Sequence, residues 1–255
     1  MNEKEKIDSA IYFEGITSIK AIISGCENGI NNRKIETVYF DVQKTRSKYR
    51  ELGYLKNKQK THDFDIEFID SDRLDSMCVG QTHGGIIAKC GQRDFSSSLP
   101  DTPVCDFSVM LEGIEDPFNF GYAVRSLYAF GAKEIILPTR NWMSVAPIVC
   151  RSSAGTSEMI SMRFGDCEEI VSHYKSIGYT VVSAAKENSV DLESASFRSP
   201  ILLIIGGEKR GISRKILDIS DMIKKELDRF IDDYYDRYSG LYLKSKQFLK
   251  NLQNI

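Results

Sequence analysis

Two clusters of residue types in this 255-residue chain could do chemistry. The first is Ile205-Gly206-Gly207-Glu208-Lys209-Arg210-Gly211-Ile212-Ser213, where an apolar run ends at two glycines, followed by an acid, two bases and a third glycine. Glycines at the C-terminal end of a buried strand let the backbone turn sharply and approach a bound ligand. The second is Asn119-x-Gly121-x-x-x-Arg125. It puts an arginine, the usual partner of phosphates, on a helix that opens just after an acidic, proline-containing turn. Gly206 and Gly211 have the glycine spacing of a P-loop, but Ile212 stands where its lysine would have to reach the phosphates. A nucleoside-triphosphatase is therefore disfavoured. Each cluster also has a plain local reading: a tight turn before a helix for 206–213, and an N-cap for Asn119.

The elements that must position these residues follow from apolar periodicity. In the first half, 11–14, 35–42, 65–69 and 84–88 read as strands. Segment 17–24 reads as a helix with Ile19, Ile22 and Ile23 on one side. A stretch with three serines and two prolines, 91–103, is too poor in apolar residues to build a core and reads as a linker. Beyond it, strands at 107–111, 134–137, 158–163, 180–184 and 201–205 alternate with helices at 121–130 and 166–177. That order predicts an α/β architecture, a parallel sheet with helices on both faces. The segment 215–255 is rich in charge and aromatics and reads mostly as helix.

Composition narrows the function classes. The six cysteines and three histidines do not fall at zinc-ligand spacing, so no structural metal is expected, and free thiols in a reducing cytoplasm are. No signal peptide is evident after Met1, and no apolar run reaches the roughly 20 residues that a membrane span requires. With a net charge of −2, nucleic-acid binding needs a local basic patch.

Asn119-x-Gly121-x-x-x-Arg125 followed by Phe130-Gly131-Ala132 resembles the first signature motif of the SpoU (TrmH) family, RNA ribose 2′-O-methyltransferases of the knotted SPOUT class. Ile205 to Ser213 is similar to the family's second motif, and Ser153-Ala154-Gly155 to the stretch between them. Tyr12-Phe13-Glu14-Gly15 and Thr82-His83-Gly84-Gly85 resemble parts of the family's small, ribosomal-protein-L30-like substrate domain. The resemblance implies an RNA substrate domain at 1–93, a linker at 94–103, a methyltransferase domain at 104–220 and a divergent helical tail at 221–255. It also implies S-adenosylmethionine as cofactor, ribosomal or transfer RNA as substrate, and a cytoplasmic homodimer. By motif position, Arg125 would contact RNA phosphate and assist deprotonation of the ribose hydroxyl, Asn119 would help shape the site and Glu208 would hold Arg125 or neighbouring backbone in place. Gly206, Gly207, Gly211 and Ile212 would line the cofactor pocket.

The RNA reading finds its basic patch in Lys44, Arg46, Lys48, Arg50, Lys56, Lys58 and Lys60, with Tyr49 and Tyr54 interleaved. Phosphate contact with aromatic stacking is how single-stranded RNA is commonly held, whereas a solvated amphipathic helix is the plain alternative. His83 joins the patch as a further RNA-binding candidate or as a turn residue.

The family's third motif, an Ile-Pro strand, a glycine and a Ser-Leu-Asn segment opening a helix, should begin near Met222. The chain instead reads Asp221-Met222-Ile223-Lys224-Lys225-Glu226, and its last proline is Pro200. Loss of that motif predicts a missing sheet strand, an incomplete trefoil knot and an open pocket wall. Three readings therefore stand: a 2′-O-methyltransferase, a catalytically inactive RNA-binding protein that keeps the fold, or a methyltransferase-like module that works only with a partner chain.

Overall fold

The computed structural model describes residues 11–77, 83–139, 145–185, 198–207 and 209–224. It divides into two compact units. The division does not follow a single cut in the sequence: 117–125 and 141–159 group with the N-terminal segment, and the remainder after 94 forms the second unit.

The first unit is built on a four-stranded sheet. Its elements are β1 (Ile11–Glu14), α1 (Gly15–Glu27), β2 (Ile35–Asp41), α2 (Tyr49–Lys58), β3 (Asp65–Ile69), α3 (Ser71–Ser76) and β4 (Ile86–Cys90). The sheet order is β1-β4-β2-β3, with only β2 and β3 parallel. Ile19, Ile22 and Ile23 of α1 and Leu55 of α2 pack with Phe13, Val38, Phe40 and Ile86. Burying such side chains stabilises the fold by about 1.5–3 kcal/mol each. Leu74 of α3 packs with Ile69 and Ile87 in a smaller cluster. The strand expected at 84–88 begins only at Ile86, because Gly84 and Gly85 both hold positive φ (64° and 82°) and turn the chain.

The second unit is a six-stranded, wholly parallel sheet: β5 (Phe107–Glu112), β6 (Glu134–Pro138), β7 (Ser161–Gly165), β8 (Thr180–Ala184), β9 (Ile201–Gly206) and β10 (Met222–Lys224). Their order is β10-β8-β9-β5-β6-β7. Four other helices belong to this part of the sequence: α4 (Pro117–Ala129), α5 (Ala146–Ser152), α6 (Cys167–Ser176) and α7 (Arg214–Ile219). Ile170, Val171 and Tyr174 of α6 share a core with Ile216 of α7 and with Met110, Ile136, Leu202 and Ile204 of the sheet. The parallel α/β architecture expected from the sequence is the one observed.

Several local expectations are corrected. The strand expected at 158–163 starts at Ser161, because Thr156–Glu158 forms a 3-10 turn. The 94–103 stretch has no core of its own but is well tethered. Ser96 forms a parallel bridge with Arg163 on the β7 edge, and the Arg163 guanidinium donates to the Ser96 hydroxyl at 3.0 Å and to the Ser98 carbonyl. The His173 ring lies 2.7 Å from the Pro100 carbonyl. Arg163 is in turn paired with the buried Glu134 at 3.0 Å, which also accepts from Tyr174 and Ser108. Bridging an edge strand in this way also removes a template for unwanted strand pairing.

The tail differs from expectation too. Within its described part α7 ends at Ile219 and β10 then pairs with β8, so the strand expected to be missing is present. Pairing runs through backbone groups and needs no proline or particular side chain. Asp221 fixes its entry, donating its N–H to the Val181 carbonyl and accepting the Val181 N–H on its carboxylate, both at 2.9 Å. The tail from 225 onward lies outside the described residues.

Candidate functional site

The glycine-rich turn lies where parallel-sheet proteins bind ligands. From β5 the chain crosses to β6 on one side, and from β9 it crosses past β8 to β10 on the other. The C-terminal ends of β5 and β9 are adjacent, with Glu112 in register with Gly206. That makes them a topological switch point, where diverging connections open a crevice.

Backbone packing explains each glycine here. A Cβ on Gly206 would lie 2.3 Å from the Gly211 carbonyl carbon and 2.5 Å from the Ile212 nitrogen. A Cβ on Gly207 would lie 2.2 Å from the Gly113 carbonyl oxygen. Gly211 holds φ +63° and donates its N–H to the Gly207 carbonyl at 2.8 Å, closing the turn. A Cβ on Gly211, by contrast, would meet open space. So Gly206 and Gly207 let the loop fold on itself and on the β5 end, and the ligand-accessible side is at Gly211. Replacing Gly207 by alanine drives a Cβ into rigid backbone and is expected to destabilise the protein by about 1–3 kcal/mol. A urea midpoint equal to that of the parent would refute this packing role.

The loop is held on both flanks. Ile212 is buried in the core that lies under α7. The Ser213 N–H donates to Glu112 Oε2 at 3.0 Å. At the exposed rim Lys209 pairs with Glu115 at 3.1 Å. Burial pushes the nearby Cys167 thiol up to about 12, and the Glu112 charge adds to the effect, so this sulfur stays protonated and is no nucleophile. Glu208, expected beside Arg125, lies outside the described residues.

In the first unit, the Asn119 motif is carried on α4. Pro117 is the first helical residue, suited to that position by its fixed φ and missing N–H. Asn119 is therefore the third residue of the helix and not its N-cap, which corrects the capping expectation. Gly121 is buried against α5: a Cβ there would lie 1.8 Å from Ser152 Oγ and 2.9 Å from the Val149 carbonyl. Arg125 is exposed, and no ion pair among the described residues engages it. The stretch at 153–155 forms the turn after α5, with Ala154 at φ 53° and Gly155 at φ 90°. A Cβ on Gly155 would lie 2.5 Å from Ala21 Cβ of α1.

The basic patch is partly assembled. Arg46, Tyr49 and Arg50 are exposed. Arg50 donates to the Tyr49 hydroxyl at 3.0 Å, with its guanidinium 5.7 Å from the ring centroid. Lys44 and Lys48 lie against the Gly84–Gly85 turn. Lys48 is shared with Glu51 at 3.5 Å, and Lys58 is bound to Glu27 at 2.6 Å. His83 does not join the surface. It is only 5% exposed, its Nε2 lies 2.8 Å from Asp75 Oδ1, and its Nδ1 accepts the Gly85 N–H. With both nitrogens engaged it serves the turn.

Sequence reasoning missed Glu112 and the buried Arg33–Glu158 pair. Glu112 carries a faint signal, an acid closing an otherwise apolar strand; the pair carries none, because its members lie 125 residues apart. Among the described residues no cluster of His, Cys, Asp and Glu could hold a metal.

A model of the SpoU rRNA Methylase family matches residues 106–225. A Staphylococcus saprophyticus protein assigned to the TrmH family of tRNA/rRNA methyltransferases is 30% identical over 174 residues, 66% of this chain and 67% of its own. The 23S rRNA (guanosine-2′-O-)-methyltransferase RlmB of Coxiella burnetii is 26% identical over 191 residues, 71% of this chain and 75% of its own. The AdoMet-bound rRNA methyltransferase from Sinorhizobium meliloti superposes with a TM-score of 0.67 at 19% identity, covering 87% of this chain and 80% of that one, which establishes a shared fold. With its motifs in order, its parallel sheet and these relatives, the chain belongs to the SpoU (TrmH) family of RNA methyltransferases.

Proposed function

We propose that this chain transfers a methyl group from S-adenosylmethionine to a ribose 2′-hydroxyl of ribosomal or transfer RNA. The observation that carries this reading is the glycine loop at the β5/β9 switch point of a SpoU-family sheet. The loop present fits the cofactor: beside Gly211 it faces open space, its backbone is turned there by positive φ, and the burial of Ile212 in the core anchors its end. When bound, S-adenosylmethionine supplies a methyl group already activated by its sulfonium. The protein's share is then positioning and proton removal, since a ribose hydroxyl is a poor nucleophile until it loses its proton. Gly211 would face the cofactor, with Gly206, Gly207 and the buried Ile212 shaping and anchoring the loop, and Arg125 would engage RNA phosphate and favour the deprotonated hydroxyl, with Asn119 and Glu208 in support. Arg46, Lys48, Tyr49 and Arg50 would hold the RNA elsewhere, by charge and by stacking.

A second reading has its own support. The family match stops at Lys225, and the third motif's proline, glycine and Ser-Leu-Asn segment have no counterpart in the residues that follow. On that reading the chain binds RNA without methylating it. Calorimetric titration with S-adenosylmethionine separates the two. Binding in the micromolar range or tighter is expected for the enzyme; no detectable heat, with RNA binding intact, would establish the non-catalytic binder.

A further inference from the structure

A loop with three glycines among eight residues must hold one shape to form one wall of a pocket, yet glycine loses more backbone freedom on ordering than any other residue. The Gly207–Gly211 bridge and the Gly207–Gly113 contact restrain its first part. At its C-terminal end, the Ser213 N–H donates to the Glu112 carboxylate across the β5 end.

That contact replaces a missing local one. Ser213 is the N-cap of α7, and its hydroxyl makes no capping hydrogen bond. In a capping box the residue three positions on, a Glu or Gln, reaches back to accept the N-cap N–H. Here that position is Ile216, a fully buried apolar side chain with no acceptor. Glu112, half-buried at the end of β5, supplies the acceptor from a neighbouring strand.

We infer that Glu112 is a positioning residue for the methyl-donor loop, its carboxylate tying Ser213, and so the end of the 206–212 turn, to the end of β5. The inference rests on the methyl-transfer reading for what the loop holds, but not for the restraint itself. A hydrogen bond from an N–H to a charged carboxylate is among the stronger kinds available to a protein. Removing it leaves the sheet and its apolar core intact and frees only the loop.

The test compares Glu112→Ala, which has no acceptor, with Glu112→Gln, which keeps an amide oxygen at the same reach. In the full-length chain without cofactor, the Ser213 amide is expected to exchange its hydrogen about tenfold faster in the alanine variant and near the parent rate in the glutamine variant. With S-adenosylmethionine, the alanine variant is expected to bind about tenfold more weakly, with the glutamine variant restoring most of the affinity. Any methyl transfer should show the loss in KM and not in kcat. An unchanged Ser213 exchange rate in Glu112→Ala, or a glutamine variant as impaired as alanine, overturns the inference. A parent chain that binds no S-adenosylmethionine refutes the proposed function instead, and the exchange measurement then decides the restraint alone.

Discussion

Replacing Glu158 by alanine is expected to destabilise the protein by about 3–5 kcal/mol, the usual consequence of stranding a buried charge. Glu158 and Arg33 are 3% and 2% exposed, and the guanidinium holds the carboxylate with two bonds, Nε to Oε2 at 3.0 Å and Nη2 to Oε1 at 3.2 Å. Arg33 also donates to the Gly91 carbonyl and lies 4.6 Å from the Phe13 ring centroid. Asn31 adds a bond to the Glu158 carbonyl at 2.7 Å. Without the carboxylate, the arginine keeps its charge in a buried site with no ion-pair partner left among the described residues, against a total stability of only about 5–15 kcal/mol. Urea unfolding measures the loss directly. The double variant Arg33→Met/Glu158→Leu removes both charges and should recover most of it. A single variant as stable as the parent would show that water reaches the site.

Arg125→Ala is expected to lower methyl transfer by about 10²–10⁴-fold, the range typical of a group that manages a proton in the transition state. Stability should change by no more than about 0.5 kcal/mol, because Arg125 is exposed on a helix where alanine is the better helix former. The two effects are measured separately, by tritium transfer to RNA and by thermal unfolding. Activity near the parent level would remove Arg125 from the proposed mechanism. Lost activity with a matching loss of stability would mean that the side chain supports the fold.

The two clusters that first suggested chemistry were visible because each is short in sequence. Strand-length apolar runs ending in glycine marked β9 correctly, and Ile19, Ile22 and Ile23 marked the buried side of α1. What the glycines do was not legible. Sequence suggested ligand approach at Gly206 and Gly207, whereas their Cα atoms face the backbone of Gly211, Ile212 and Gly113. Gly121, grouped in the sequence with Asn119 and Arg125, makes room for Ser152 of α5. His83 looked available to RNA and is enclosed by Asp75 and its own turn. In each case a partner many residues away, or a local turn, determines which side of the residue remains free.

The sequence by itself determined β1 to β9, the helices α1, α4 and α6, the family motifs and the lack of the third motif, because periodicity and motif spacing act over a few residues at a time. Only the tertiary structure decided that β10 forms without that motif, that 117–125 and 141–159 group with the N-terminal segment, and that Arg33 meets Glu158. These outcomes depend on which distant segments the sheet and core bring together. Backbone pairing can add a strand whose side chains give no signal, and a buried charge must find its partner wherever the chain delivers one.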